Sequence, residues 1–197
     1  MSPSAHQQAL AAVIRGLSAL RDAGCLVDAG GTLLFVNDAW QRGAAAGGDA
    51  AVIGTSWLDG LRGEEVRRAH AELLSRALAP PHPRGLTLVA EANTATRAAL
   101  VSTRLDPVLH AGEPLGVRVL RSVVRERPVE EVYDVVDRPP DAYRGPDGAV
   151  AQCPCCRRVR DPAAPDRWDL VPALLDLPVA AHDELCELCR SLHYPGC

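Results

Sequence analysis

The chain has 197 residues, 47% of them apolar and 23% charged, with a formal net charge of −4 at pH 7. This composition suits one soluble domain or two small ones, and its acidic balance offers no excess positive field to nucleic acid or an anionic membrane. No run reaches the ~18 consecutive apolar residues of a membrane span, and Met1-Ser-Pro-Ser-Ala-His6 lacks the pattern of a signal peptide, so a cytoplasmic setting with reduced thiols is expected.

The chain opens with a helix over residues 4–23, capped by Ser4. Leu10, Val13, Leu17 and Leu20 recur at three- and four-residue steps, a narrow seam that fits either the chain's own sheet or a partner helix in a homodimer. Gly24 ends it. Cys25-Leu-Val-Asp-Ala-Gly-Gly-Thr-Leu-Leu-Phe-Val-Asn37 sets two short apolar runs about a turn cluster, a β-hairpin signal. Asn37 and Asp38 stop the second strand and can cap a short helix through Trp40, and Gly43 to Ala51 reads as a loop. Residues 64–78 form a second helix whose acidic start suits the helix dipole and which Pro80-Pro-His-Pro83 terminates. Strands are expected at Leu86 to Ala92, Ala98 to Leu105 and Leu115 to Val124. An antiparallel five-stranded sheet with helices on one face satisfies this order, an α+β class. Residues 126–150, with four prolines and many charges, read as a linker ordered in part around Val132, Tyr133 and Val135. Residues 151–197 form a separate small module.

The pattern Leu26-Val-Asp-x-x-Gly-x-Leu-x-x-Val-Asn37, followed by Trp40, Gly54 and the 64–78 helix, resembles a bacterial sensory PAS domain, over about residues 10–125. The all-arginine basic complement of 21 residues is in keeping with a GC-rich genome. The resemblance implies a sensor or interaction module that holds a small molecule, or nothing, between sheet and helices, and often dimerises through an N-terminal helix. Phe35, Asn37, Trp40, Trp57 and His70 are the candidate pocket residues. His70 could ligate haem, but its flanking by Arg67, Arg68 and Glu72 reads as a solvated position. Trp40 and Trp57 could line the pocket but read more readily as plain core, and Cys25 as a small buried hydrophobe.

Six of the seven cysteines lie in the last 45 residues. Cys153-Pro-Cys-Cys156 and Cys186-Glu-Leu-Cys189 form two Cys-x-x-Cys pairs, each on a tight turn, which is what a closed tetrahedral zinc–thiolate site requires at about 2.3 Å per sulfur. Between them Trp168, Val171, Leu174 and Leu175 have helical spacing, and a short helix there would cover the metal. So small a segment builds little core by itself, and metal ligation compensates. The order Cys153-x-x-Cys156-Arg-Arg-Val-Arg-Asp161, Trp168, His182, Cys186-x-x-Cys189 and Tyr194-Pro195 also resembles a motif at the ends of bacterial sensory proteins. His182 and Cys155 are additional candidate ligands; Cys197 is left over.

No catalytic constellation, kinase signature or phosphate loop stands out. The expectation is a signalling or protein-interaction protein without its own catalytic output, a PAS-like domain coupled to structural zinc, acting through an unnamed protein partner. The alternatives are a redox-responsive thiol–zinc switch and a haem-binding gas or redox sensor.

Overall fold

The computed structural model describes residues 4–47, 52–176 and 180–195. The chain divides into two compact units: Met1–Leu61, Arg67–Leu88 and Ser102–Ser122 in the first, Arg62–Val66, Val89–Val101 and Val123–Cys197 in the second.

In the first unit, helix α1 (Ala5–Ser18) opens on a capping box: the Ser4 hydroxyl accepts from the Gln7 amide, and the Gln7 side chain accepts from the Ser4 amide. These bonds satisfy backbone donors that a helix start leaves unpaired. Helix α1 ends five residues before the expected position, because β1 (Ala23–Val27) already begins at Ala23. Of the expected seam, Leu17 is buried, Leu10 and Val13 are half-buried, and Leu20 is 40% exposed.

Strand β1 pairs antiparallel with β2 (Leu33–Val36). The turn between them is held by the Asp28 carboxylate, which accepts from the amides of Gly30 and Thr32, while Gly31 takes the left-handed conformation at φ +84°. Helix α2 (Asp38–Gly47) is longer than the expected turn through Trp40 and takes in part of the stretch read as a loop; residues 48–51 lie outside the described residues. Helix α3 (Glu64–Leu78) has the expected bounds.

Three strands follow: β3 (Leu86–Glu91), β4 (Arg97–His110) and β5 (Glu113–Pro128). With β1 and β2 they form a five-stranded sheet in the order β2-β1-β5-β4-β3, the β1–β5 and β1–β2 pairings antiparallel. Strands β4 and β5 run well beyond the apolar cores that marked them, since their ends carry exposed charged residues that hide the period of two. In β5, Gly116 leaves room for the chain: a Cβ there would collide with the Val27 carbonyl oxygen. Cys25, Val27, Leu33, Val36, Trp57, Leu73, Leu74, Ala77, Leu105, Val117 and Val119 form one buried cluster between sheet and helix. Burial holds the Cys25 thiol above its ordinary range, as befits a small core residue.

The second unit takes in residues 126–150, read from sequence as a linker. They pack: Val129 joins Ala98 and Leu170 in one buried cluster, and Tyr143 joins Val150, Val159, Val171 and Leu174 in another. The prolines fix turns rather than a tether, with Pro140 at the start of a single 3-10 turn, Pro140–Tyr143. Short strands β6 (Val150–Gln152), β7 (Val159–Asp161) and β8 (Ala164–Asp169) follow; then helix α4 (Ala173–Asp176), strand β9 (Ala181–Asp183) and helix α5 (Glu187–His193). The strands form a sheet in the order β8-β7-β6-β9. The expected helix from Trp168 to Leu175 is therefore divided: Trp168 belongs to β8, where it pairs with Arg160, and Leu174 to the single turn of α4, which follows Pro172.

Candidate metal centre

The Cys-x-x-Cys pairs stand on two different supports. Cys153 to Arg158 form the turn between β6 and β7: the Cys153 amide donates to the Arg158 carbonyl at 2.8 Å, and the Arg157 amide to the Cys153 carbonyl at 3.0 Å. Arg157 closes this turn in the left-handed region at φ 63°, where a side chain carries a steric cost. The second pair belongs to a helix start rather than a free-standing turn. Cys186 is the N-cap of α5, and its sulfur accepts from the Cys189 amide at 3.4 Å.

These supports bring the sulfurs of Cys153, Cys156, Cys186 and Cys189 within 4.8 Å of one another, all four residues buried. Cys156 Sγ and Cys186 Sγ are 3.7 Å apart. A tetrahedral ion with metal–sulfur bonds of about 2.3 Å sets its sulfurs about 3.8 Å apart. The Cys156–Cys186 separation is that of two ligands of one ion, and the other two sulfurs lie close enough to join them. All four are free thiols.

The sulfurs share protons unevenly. Hydrogen bonds from Cys155 and Cys156 hold the Cys153 thiol far below its ordinary range, and hydrogen bonding to Cys153 pushes Cys156 and Cys189 up. Four sulfurs crowded into a buried space create a demand for positive charge, which a cation meets better than protons do.

Part of that demand is met by Arg158. Its Nε donates to Cys156 Sγ at 3.3 Å and a terminal nitrogen to Cys186 Sγ at 3.4 Å. Its guanidinium lies over the Tyr133 ring, 5.2 Å from the centroid. Burial opposes the charge on Arg158, but the sulfurs of Cys156 and Cys186 hold its pKa above the ordinary value. Asn93 braces the first turn: its side-chain nitrogen donates to the Cys156 carbonyl at 3.0 Å. Sequence reasoning missed Arg158, Tyr133 and Asn93. The signal for Arg158 was its place two residues after Cys156; Asn93 and Tyr133 lie 63 and 23 residues away from Cys156, with no local pattern to mark them.

The two additional candidates lie elsewhere. His182 is exposed on β9, with its Nε2 2.6 Å from the Asp147 carboxylate, and is outside the four-sulfur group. Cys155 is buried beside that group, but its sulfur turns to the Tyr194 hydroxyl at 3.6 Å; hydrogen bonding to Cys153 pushes its thiol up to about 12. Cys197 lies outside the described residues.

The pocket candidates fall in the first unit. Trp57 and His70 meet edge to face, ring centroids 5.6 Å apart. His70 is buried at 5% exposure rather than solvated, because its helix turns this face to the core and its charged neighbours outward. Trp40 is half-buried against the core, and Phe35 is half-buried on β2. Asn37 is buried, and its side chain is fully committed. Its oxygen accepts from the amides of Gly24 and Trp40, and its nitrogen donates to the carbonyls of Leu17 and Asp22. It ties together the end of α1, β1 and the start of α2, leaving no hydrogen-bonding capacity for a ligand.

No protein-family model matches the chain, and no curated protein matches it significantly. Solved structures do. The PAS domain of Bordetella pertussis BvgS superposes with a TM-score of 0.50 at 21% identity, over 64% of this chain and 92% of that one. The fold is that of a PAS domain. The sheet order β2-β1-β5-β4-β3 with helices packed on it is the PAS architecture of this chain. Weaker similarities are to a Rhodobacter sphaeroides LOV protein (TM-score 0.46, 17% identity, 60% of this chain and 68% of that one) and to the sensor region of a sensor histidine kinase (TM-score 0.40, 16% identity, 52% of this chain but 39% of that one). Beside the PAS fold the chain carries its four-cysteine cluster, positioned for metal binding.

Proposed function

We propose that this protein is a sensory or protein-interaction module without catalytic output of its own, in which a PAS fold is coupled to a structural zinc site made by Cys153, Cys156, Cys186 and Cys189. The observation that carries the reading is the convergence of four buried sulfurs on one point. Four thiolates fill a tetrahedral shell and leave no open position for substrate, the arrangement of a structural rather than a catalytic zinc. Free thiols throughout the described residues fit a reducing, cytoplasmic setting.

The PAS fold supplies the sensing half of the proposal, a small molecule or a protein partner being the input. Half-buried Leu10 and Val13 on α1 would complete their burial against a second copy of that helix. Two other readings are less well supported. A redox switch needs oxidant to reach sulfur, yet the four sulfurs belong to residues at most 1% exposed. Haem ligation by His70 needs open space at its ring, where Trp57 is packed.

Elemental analysis of protein purified without added metal tests the proposal. One zinc and no iron per chain is the expected result. Iron would favour haem ligation at His70 instead, and a metal-free chain with all seven cysteines present as thiols would overturn the zinc site.

A further inference from the structure

A second set of ligating atoms adjoins the four-sulfur shell. One atom each from Glu91, Cys189 and His193 lies within 4.8 Å of the others. Cys189 and His193 are four residues apart on α5, so the helix turns both to one face. Glu91, at the end of β3, approaches the same sulfur: Cys189 Sγ donates to Glu91 Oε2 at 3.9 Å. Cys189 is buried, but Glu91 and His193 are half-buried, so this set faces solvent where the four-sulfur shell does not.

The electrostatics favour a cation here. Four thiolates around one dication leave two negative charges, and Arg158, on the sulfurs of Cys156 and Cys186, offsets one. Glu91 adds a negative charge on the Cys189 side, where no cationic side chain among the described residues is bonded to it. A metal-bound thiolate keeps lone pairs and can bridge to a second ion. One sulfur, one imidazole nitrogen and one carboxylate oxygen are ligands that zinc accepts together, with water in the remaining position.

We propose that Glu91, Cys189 and His193 form a second, more weakly held divalent-cation site of the zinc class, with the Cys189 thiolate bridging the two ions. It rests on the structural zinc reading, since Cys189 belongs to both sets of ligating atoms.

Equilibrium dialysis of the zinc-loaded 197-residue chain against excess zinc, followed by elemental analysis, tests it. The wild type is expected to take up a second equivalent, and Glu91→Gln and His193→Ala to retain the first and lose the second. Cobalt(II) added to the zinc-loaded wild type should give a sulfur-to-cobalt charge-transfer band that both variants lack. Saturation of the wild type at one equivalent, or uptake of two by both variants, overturns the second site while leaving the first intact. A chain that holds no metal at all overturns both.

Discussion

Arg158 is shared between Tyr133, whose ring lies 5.2 Å beneath its guanidinium, and the sulfurs of Cys156 and Cys186, to which it donates at 3.3 and 3.4 Å. One side chain thereby links the metal centre to the segment after β5. Arg158→Gln removes the positive charge and is expected to weaken metal retention about 10- to 100-fold, the range for groups that support metal ligands. Competition with a colorimetric zinc chelator measures it. Arg157→Gly, at the neighbouring left-handed position, should leave retention unchanged.

On the proposed zinc reading, chelation should unfold the four-cysteine segment, because zinc binding to such sites contributes on the order of 10 kcal/mol or more. Cys153→Ser and Cys186→Ser are expected to abolish zinc binding and the cooperative melt of this segment, followed by circular dichroism. His182→Ala should bind as much zinc as the wild type, since His182 pairs with Asp147; reduced zinc content in that variant would contradict the assignment of ligands.

Asn37→Ala leaves two backbone donors and two carbonyls without their partner in a buried position. Each buried group so abandoned costs about 1–3 kcal/mol, partly recovered by relaxation, and a net loss of about 3 kcal/mol is expected. Urea denaturation of the wild type and variant measures the difference. Were Asn37 a ligand-pocket residue instead, the variant would keep its stability.

Asp106 gives the first unit an acid limit. Burial disfavours its charge, but hydrogen bonds from Arg118, Arg104 and the Gly85 amide prevail and hold its pKa below the usual carboxylate value. A carboxyl depressed in the folded state stabilises it above the unfolded pKa of about 3.9, and that contribution is lost as pH falls through the folded pKa. Melting temperature should therefore fall below about pH 4 in the wild type. Asp106→Asn should start less stable at neutral pH and show a flatter acid limb.

The sheet and the four-cysteine cluster were legible in the sequence for different reasons. The hairpin from Cys25 to Asn37 carries its turn chemistry locally, in Asp28 and Gly31, and α3 carries an acidic start and a proline stop. The four cysteines are chemically distinctive and paired at a spacing few other roles produce. What stayed hidden depends on contacts far apart in sequence. Residues 126–150 look like a tether because prolines and charges dominate, yet the Tyr143 hydroxyl donates to Asp169 at 2.7 Å and Arg138 pairs with Asp161. Each of those residues finds its partner only after more than twenty intervening positions have folded. His70 misled for a similar reason: arginines beside it in sequence said nothing of the face it shares with Trp57.

Cys186 both faces the metal centre and caps the first turn of α5. A helix of seven residues has little stability by itself, so, with zinc as the ion of the proposed site, a chain synthesised where zinc is scarce would lose the anchor at that turn. The segment around α5 would then open to proteases, whose access follows local unfolding. Metal supply would in this way set the lifetime of the protein.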